Sequence, residues 1–474
     1  MRILLVTGTQ TEVMVREAAV ESGHSCDVVV IGEVASFISP ERLITLVNSQ
    51  SYDFVIVSGM CTADFSSVEA RTGVPVYLGP RHAADLAMIL PGVGHIQLSR
   101  TIPADDLILR MKRDQAMESL ALLEEEAEPD FFIRGLKVGG GSRMKVVAEI
   151  MDAHRHPDIR SAVGRFFASG ADIVDLGFGF DATPDDCIST FAALEGIDRP
   201  LAADTQDPEL IRAALPRADL ILSLQEENIP LVGSAIADAG AAAVVVPGEA
   251  GLAANLDAAR ACGIECIIAD PILPPAGSGL VRALAGFSTL QTDVPIFFGA
   301  GNVVELLDAD SPGANALLAA MAAEVGASLI FTSEHSDKTK GAIQEMRKAT
   351  MMMSLMQERP YPKDLGVDLF VIKEKRRRNE PPVTYTTLLE NEDEDYPLVY
   401  DPMGNFRIGV ADNQIIAERK GVAIRDIDAG RIFSAIERNG WVSRLDHAAY
   451  LGRELYKAEL AIRFGRSFEQ DGEF

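Results

Sequence analysis

Polar side chains stand at or near the carboxyl end of almost every apolar run in the middle of the chain, where a buried strand would stay apolar. These residues are Lys137, Asp175, Asp204, Thr205, Ser223, Gln225, Glu249, Asp270, Asn302, Glu334 and His335. An ionised aspartate only accepts hydrogen bonds, whereas an asparagine both donates and accepts them. One or two of these residues could cap the following helix. Their recurrence instead favours a shared polar pocket that binds a ligand through hydrogen bonds.

Eight apolar runs carry these polar ends, and segments rich in alanine and leucine separate them. The runs are Arg134–Val138, Asp172–Gly177, Leu201–Thr205, Asp219–Leu224, Ala243–Pro247, Cys266–Asp270, Pro295–Gly299 and Ser328–Thr332. Eight strand–helix units in roughly 230 residues match a (β/α)8 barrel, and the count favours it over a doubly wound open sheet. We therefore predict a closed TIM barrel over Phe131–Gln357, with the polar residues around the mouth at the carboxyl ends of its strands.

The barrel is predicted to be the middle of three domains, with boundaries at 1–128, 129–358 and 359–474. In the first domain, short β-branched runs alternate with helical segments, which predicts a Rossmann-like α/β domain with a parallel sheet. The runs are Ile3–Val6, Asp27–Ile31 and Phe54–Val57. A charged helix over Asp105–Glu128 is expected to connect this domain to the barrel.

The last domain is predicted to be a small α+β domain, and its role is left open. The expected strands are Asp368–Ile372, Pro397–Tyr400 and Phe406–Val410. Two helices follow them. The second places His447, Tyr450, Leu451, Glu454 and Leu455 on one face, for which packing is the default interpretation and a ligand or partner contact the alternative.

Composition excludes several classes of function. The formal net charge of the 474 residues is −27, so the surface is expected to repel nucleic acid and anionic lipid. No apolar run approaches the ~20 residues of a membrane helix. Five scattered cysteines, none in Cys-x-x-Cys spacing, suit the reducing environment of the cytoplasm. The sequence thus predicts a cytoplasmic protein that binds a small molecule.

Three of the strand ends resemble, in order, those of dihydropteroate synthases. The run ending in Asp204-Thr205 is similar to their third strand, and Asp270-Pro271 before a glycine-rich stretch is similar to their sixth. The run Asp172–Gly177 resembles their second strand. Together with its flanking domains, the chain resembles the dihydropteroate synthase-related proteins of archaea that make tetrahydromethanopterin. The resemblance implies a pterin-binding barrel and a role in pteridine metabolism.

A pterin ring presents a row of hydrogen-bond donors beside an acceptor, which carboxylates and an amide can match. By position, the resemblance implies Asp204 and Asp270 as contacts to the ring. The turn Gly299–Val303 is closer to that of pterin-dependent methyltransferases, whose asparagine contacts the ring; this implies the same role for Asn302. Asp175, Ser223 and Gln225 are further candidates for pterin binding. No catalytic residue is identified, and no side chain is predicted as a metal ligand.

The residues that hold pyrophosphate in the synthases are altered. The predicted first strand ends in a glycine-rich turn without their asparagine, and Lys137 and Arg143 are the candidates for phosphate binding there. A flexible turn capped by Ser142 is the alternative. His335 matches the position of a synthase histidine only to within one residue. It is either a phosphate or substrate contact or an exposed residue at a helix start.

Three functions follow from the resemblance. The favoured one is a transferase that joins a dihydropterin pyrophosphate to an arylamine, with Mg²⁺ neutralising the leaving group. The second is methyl transfer between a tetrahydropterin and a corrinoid protein. The third is pterin binding without catalysis, in the service of a pathway protein. For protein partners, a second copy of the chain, a corrinoid protein and a pathway protein all remain open.

Overall fold

The amino-terminal part of the chain is a parallel α/β sheet, as predicted. A computed structural model describes residues 1–47, 51–81, 83–356, 362, 365–372, 383, 385–389 and 399–472. The chain divides into two units, Met1–Val383 and Thr384–Phe474. None of the helices within the described ranges combines the length and the apolar character that crossing a bilayer requires.

The first sheet has four parallel strands in the order β2-β1-β3-β4. Its elements are β1 (Arg2–Thr7), α1 (Glu12–Glu21), β2 (Ser25–Val30), α2 (Pro40–Val47), β3 (Phe54–Val57), α3 (Ser66–Thr72), β4 (Val76–Leu78) and α4 (Leu86–Ile89), followed by α5 (Ala104–Glu126). Successive residues of β1 belong to two different apolar clusters, because helices cover both faces of the sheet. The short strand β4 was not predicted.

The middle of the chain is a closed barrel of eight parallel strands. The strands are β7 (Lys145–Ile150), β8 (Ile173–Gly177), β9 (Leu201–Asp204), β10 (Leu220–Leu224), β11 (Ala242–Val245), β12 (Ile267–Ala269), β13 (Ile296–Phe298) and β14 (Ala327–Ser333). The helices are α6 (Ile159–Ser169), α7 (Pro184–Ala193), α8 (Pro208–Ala214), α9 (Ile229–Ala239), α10 (Leu252–Ala261), α11 (Leu280–Thr289), α12 (Gly301–Glu305), α13 (Ser311–Glu324) and α14 (Ala342–Leu355). Pairing of β14 with β7 closes the ring. The TIM-barrel prediction is confirmed.

The predicted first barrel strand, Arg134–Val138, was wrong. Strands β5 (Phe131–Ile133) and β6 (Leu136–Val138) instead form an antiparallel hairpin. Arg134 and Gly135 make its two-residue turn, both with positive φ (44° and 77°), as a tight hairpin turn requires. Ile133 and Val138 are buried in the same apolar cluster as the barrel interior. The hairpin therefore packs over the amino-terminal end of the barrel, and the first barrel strand is β7.

A buried ionic cluster lies at this same end. Asp172, directly before β8, accepts hydrogen bonds from Arg143 at 2.6 Å, from Arg347 of α14 at 2.8 Å and from the Val146 N–H at 2.9 Å. The fully buried Lys145 donates to Glu124 of α5 at 2.7 Å. At the base of the barrel, arginine and lysine side chains thus form ion pairs with two carboxylates. These ion pairs connect β7, β8, α14 and α5.

The second unit is an antiparallel sheet covered by two helices, which agrees with the predicted α+β class. Its elements are β15 (Arg407–Ala411), β16 (Gln414–Arg419), β17 (Val422–Asp426), α15 (Ala429–Arg438) and α16 (Leu445–Phe464). Asp412 and Asn413 have positive φ and form the tight turn between β15 and β16. In α16, Leu451, Glu454 and Leu455 are buried, which supports the packing interpretation of that face.

One of the three strands predicted for this region is not formed, and a second lies partly outside the described residues. Asp368–Ile372 contains bends and loop, although it was predicted as a strand. Of Pro397–Tyr400, Pro397 and Leu398 lie outside the described residues, and Val399 and Tyr400 are not in a strand. The third prediction corresponds to β15.

Candidate functional site

The barrel interior changes from apolar to acidic along its axis. Alternate residues of each strand point inward, and the inward residues of the middle layer form one apolar cluster that includes Val147, Ile173 and Leu222. Two positions further along β7 and β8 the inward residues are Glu149 and Asp175, which face each other in the strand register. The same alternation brings Asp204 to the end of β9. The carboxyl ends of the strands therefore carry an acidic layer above an apolar one.

A cavity of about 450 Å³ opens at this end. It is lined by Glu149, Met151, Asp204, Leu222, Ser223, Val244, Val246, Asp270, Phe297, Gly299, Asn302, Glu305, Leu306, Phe331, Ser333 and His335. Its apolar wall includes Phe297 and Phe331, whose ring centroids are 5.9 Å apart. Four of the lining side chains are carboxylates, and neither lysine nor arginine is among these described residues.

Most of the predicted pterin contacts meet in this cavity. Asp204, Asp270 and Asn302 line it together, as does Ser223. Asp175 does not line the cavity but lies fully buried beside Asp204 and Glu149. The Asn302 side chain is exposed and forms no hydrogen bond with the described residues, so its amide is available to a ligand.

Gln225 does not line the cavity, contrary to its prediction as a pterin contact. Its side chain donates to Gln206 Oε1 at 3.2 Å. Gln206 in turn donates to Ser223 Oγ at 3.3 Å. Gln225 is therefore connected to the cavity wall through hydrogen bonds by way of Gln206 and Ser223.

The predicted phosphate-binding turn was also misplaced. Lys137 donates from Nζ to the carbonyl oxygens of Glu124, Glu125 and Ala127 at 2.7–2.9 Å, at the end of α5. Arg143 is buried in its ion pair with Asp172. Both residues lie at the amino-terminal end of the barrel, because the segment before β7 forms a hairpin and not the first barrel strand. Of the three phosphate candidates, only His335 lines the cavity.

Glu149 and Glu305 are site residues that the sequence analysis missed. Burial, followed by the charges of Asp204, Glu305 and Asp152, raises the pKa of Glu149 to about 7. The run Lys145–Ile150 was overlooked because its two charged residues interrupt the apolar pattern. The signal that could have found Glu149 is the continuous apolar stretch Val146–Ala148, which ends at Glu149 shortly before the polar Asp152.

Glu305 holds the segment after β14 in place. Its carboxylate accepts hydrogen bonds from the hydroxyls of Ser333, Ser336 and Thr339 at 2.6–3.0 Å and from the His335 N–H at 2.9 Å. Burial alone would raise the pKa of Glu305, but these hydrogen bonds hold it at about 2. Glu305 is therefore ionised at neutral pH and fixes the position of His335 at the cavity wall.

The acidic residues around Asp204 titrate abnormally. Burial, together with the charges of Asp204 and Glu149, raises the pKa of Asp175 well above its usual range. Burial also raises the pKa of Asp204. Desolvation penalises the charged form of a carboxyl group. Displaced pKa values in a cleft are typical of functional sites.

Asp270 stands apart from these three residues. Burial raises the pKa of Asp270 to about 7, although the Ile272 N–H donates to its carboxylate at 2.8 Å and opposes the shift. Because the folded-state pKa is raised, the proton of Asp270 stabilises the fold at low pH. That contribution is lost as the pH rises through about 7.

We expect Asp270→Asn to be more stable than the wild type at pH 8 and similar to it at pH 4. At pH 8 the wild type holds a partly desolvated charge at a cost of about 2–4 kcal/mol, which the neutral amide avoids. Denaturant unfolding at the two pH values measures the difference. Equal stabilities of the two proteins at pH 8 would contradict the raised pKa.

The chain is similar to known sequences over its carboxyl-terminal unit and over nearly its full length. A family model described as PterinBD-DUF4346 matches residues 400–471. The uncharacterized protein MJ0107 of Methanocaldococcus jannaschii is 34% identical over 518 aligned residues, which cover 99% of this chain and 98% of the relative. This chain belongs to the same family as that archaeal protein. The expected resemblance to dihydropteroate synthase-related, pterin-binding proteins of archaea is thereby confirmed.

Solved dihydropteroate synthases are also similar to this chain. The enzyme of Thermus thermophilus is 20% identical, with a TM-score of 0.36, and the match covers 44% of this chain and 92% of that one. The enzyme of Xanthomonas albilineans is 22% identical, with a TM-score of 0.38, and the match covers 46% of this chain and 95% of that one.

Proposed function

We propose that the barrel mouth binds the ring of a reduced pterin and that the chain is a dihydropteroate synthase-like transferase of pterin biosynthesis. The observation that carries the proposal is the convergence of Asp204, Asp270 and Asn302 in one cavity of about 450 Å³. The family model matches residues 400–471, outside the barrel, and its description associates this unit with a pterin-binding domain, which supports the proposal. The resemblance of the whole sequence to dihydropteroate synthase-related proteins of archaea that make tetrahydromethanopterin adds a pterin of that type to the proposal.

The cavity suits a flat heterocycle with a polar edge. Ionised Asp204 and Asp270 accept hydrogen bonds from the 2-amino group and N3–H of the ring, and the Asn302 amide can meet both a donor and an acceptor. Phe297, Phe331 and Val244 provide apolar surface for the ring faces. An analogue without these donors is rejected, because the partly buried carboxylates are then left unpaired.

In the proposed reaction, the nitrogen of an arylamine attacks the exocyclic methylene carbon of a dihydropterin pyrophosphate. A C–N bond forms, the C–O bond to pyrophosphate breaks, and the amine loses a proton. The protein orients the ring so that this carbon faces the amine. Pyrophosphate carries concentrated negative charge, yet the described lining includes four carboxylates and neither lysine nor arginine. A bound Mg²⁺ would supply the charge that neutralises the leaving group.

Methyl transfer is the second candidate, favoured by one specific observation. Asn302 opens toward the cavity from the turn Gly299–Val303, which resembles that of pterin-dependent methyltransferases. A methylated tetrahydropterin brings no pyrophosphate into this acidic cavity. A corrinoid protein would then be the partner that exchanges the methyl group with the pterin.

We expect a neutral dihydropterin alcohol to bind without added metal, and its pyrophosphate to bind no tighter. The reason is the acidic lining, which attracts the donor edge of the ring and repels the phosphates. Calorimetric titration with each compound, with and without Mg²⁺, makes the comparison. Release of pyrophosphate in the presence of 4-aminobenzoate then tests the synthase reaction.

Binding of neither compound would overturn the pterin assignment. Metal-free binding of the pyrophosphate about a hundredfold tighter than the alcohol, near 2.7 kcal/mol, would show that a cationic site exists after all. Methyl transfer from a methylated tetrahydropterin to free cobalamin, without pyrophosphate release in the synthase assay, would favour the second candidate.

A further inference from the structure

A second cavity, of about 300 Å³, opens at the carboxyl edge of the amino-terminal parallel sheet. Each of the four strands contributes to its lining, through its last residues or through the segment that follows. Examples are Thr7 of β1, Ser36 after β2, Ser58 after β3 and Arg81 after β4. The described residues that line the cavity include none from the barrel. The amino-terminal sheet therefore forms this cavity by itself.

The topology of the sheet places the cavity at a switch point. In the order β2-β1-β3-β4, the chain leaves β1 toward one edge of the sheet and leaves β3 toward the other. The helices that follow pack on opposite faces: Val15 of α1 shares an apolar cluster with Leu5, whereas Val68 of α3 shares another with Val6. The loops after β1 and β3 therefore diverge. In open parallel sheets, ligands bind in the crevice between such loops, at the carboxyl ends of the strands.

Glycines at the strand ends bring the surrounding loops together in pairs. A Cβ atom on Gly59 would lie 2.5 Å from the Gly79 carbonyl oxygen, which links the loops after β3 and β4. A Cβ atom on Gly8 would collide with the backbone of Glu33, which links the loops after β1 and β2. Residues of both pairs line the cavity. The close packing within each pair thus holds the walls of the crevice in place.

The lining combines apolar side chains with hydrogen-bonding groups. Val34 and Met60 are 50% and 55% exposed, and they stand on the two sides of the end of β1, because β2 and β3 flank that strand. Apolar groups exposed at a concave surface are typical of ligand sites. The Ser36 hydroxyl and the Gln10 amide form no hydrogen bond with other described residues. Both groups are therefore available to a ligand.

The charges around the cavity disfavour a phosphate. Arg81 is the one lysine or arginine among the described lining residues, and its guanidinium is already paired with Asp105 at 2.8 Å and Asp106 at 2.5 Å. Glu33 adds another carboxylate to the lining. The amino-terminal end of α1, which could attract an anion, already carries Glu12 in its first turn. Negative charge thus exceeds positive charge here, and an anionic ligand is repelled.

We propose that this cavity binds an uncharged nucleoside or a molecule of the same class, in which a flat heterocycle carries a hydroxylated substituent. Val34 and Met60 pack against the heterocycle, while the Ser36 hydroxyl and the Gln10 amide bind the polar groups. A volume of about 300 Å³ is at the lower end of the range for ligand pockets, which suits a molecule of this size. The site does not depend on the pterin function of the barrel.

Calorimetric titration of the full chain with adenosine and with guanosine, each compared with its 5′-monophosphate, tests the site. We expect at least one nucleoside to bind once per chain with a Kd of about 0.1 mM or lower. Its monophosphate is expected to bind about tenfold more weakly or worse, because of the acidic surroundings. Met60→Ala removes apolar contact with the heterocycle and is expected to weaken nucleoside binding about tenfold. Ser36→Leu occupies the cavity and is expected to weaken it about thirtyfold or more.

Met88→Ala is the matched control. Met88 of α4 is 52% exposed, much like Met60, but it does not line the cavity, so nucleoside affinity is expected to stay within about twofold of the wild type. Binding of neither nucleoside at millimolar concentration overturns the proposal. So does wild-type affinity in both Met60→Ala and Ser36→Leu, with folding checked by circular dichroism, and so does tighter binding of the monophosphate. A saturating dihydropterin alcohol is expected to leave the nucleoside bound; displacement would place the nucleoside in the barrel and overturn the second site.

Discussion

Replacing Asp270 by alanine is expected to weaken the binding of a reduced pterin about a hundredfold, or about 2.7 kcal/mol. In the proposed complex, Asp270 accepts hydrogen bonds from donors on the ring edge. Truncation leaves those donors without a protein partner in the cavity. Hydrogen bonds to a charged group contribute about 1.5–3 kcal/mol each, so the loss is large even if water enters the space.

Calorimetric titration of the wild type and the variant with a dihydropterin alcohol at pH 8 measures this loss. At that pH Asp270 is ionised, because its pKa lies at about 7. Asp270→Asn is expected to lose about tenfold, since its amide presents one acceptor and a competing donor. The control is Glu249→Gln, an exposed carboxylate after β11 that does not line the cavity. Unchanged affinity in Asp270→Ala would remove Asp270 from the site.

The predictable part of the site depended on where strands end. Asp204, Asp270 and Ser223 stand directly at the ends of apolar runs, and parallel strands of a barrel bring their carboxyl ends to one mouth. The positions of the apolar runs were therefore sufficient to predict that these three side chains lie close together. Gln225 lies only two residues beyond Ser223, yet its side chain turns to Gln206. That direction is set by a neighbour on another loop, which local sequence does not contain.

At the start of the barrel, the local sequence pattern cannot distinguish a hairpin strand from a barrel strand. Arg134–Val138 and Lys145–Ile150 are both short runs with mixed polarity. The first folds as a hairpin and the second as a buried barrel strand, even though Lys145 lies at its start. Lys145 is tolerated there because Glu124, 21 residues earlier, supplies its partner. This distant pairing hid the strand, and with it Glu149.

In the carboxyl-terminal unit and the segment before it, pairing partners also decide which segments form strands. Asp368–Ile372 has the apolar pattern of a strand, but it pairs with no strand among the described residues. Gln414–Arg419 has a weaker pattern, yet it pairs on both sides, with β15 and β17. Its position follows from the tight turn at Asp412 and Asn413, both of which have positive φ. Strand formation here is decided by partners more than by composition.

The distribution of charge along the barrel axis explains why the anion-site prediction failed. Arg143, Lys145 and Arg347 gather at the amino-terminal end, whereas Glu149 and Asp204 lie at the mouth. In sequence, Arg143 and Glu149 are only about six residues apart, which is the length of one barrel strand. A small error in assigning that strand therefore moves a charge from one end of the barrel to the other.

Asp172→Ala is expected to lower the free energy of unfolding of the barrel unit by about 3–5 kcal/mol. The carboxylate of Asp172 is paired with two arginines, Arg143 and Arg347, at 2.6 and 2.8 Å. Without it, the buried guanidinium of Arg143 loses its counter-charge and the Val146 N–H loses its acceptor. Burial alone would raise the pKa of Asp172, but the two arginines hold it below its usual value.

Denaturant unfolding at pH 7 measures the loss, with Asp308→Asn as the control. Asp308 also pairs with a cation, Lys338 at 2.9 Å, but it is fully exposed, so its substitution is expected to leave stability unchanged. Since the pKa of Asp172 is depressed, its contribution is present above about pH 4 and is lost as the pH falls through the folded-state value. The difference between wild type and variant should therefore shrink in acid. A small loss of stability at pH 7, no larger than that of the control, would show that the cluster at the barrel base does not hold β7, β8 and α14 together.

Pterin affinity of the folded variant is expected to stay near that of the wild type, because Asp172 lies at the end of the barrel opposite the mouth.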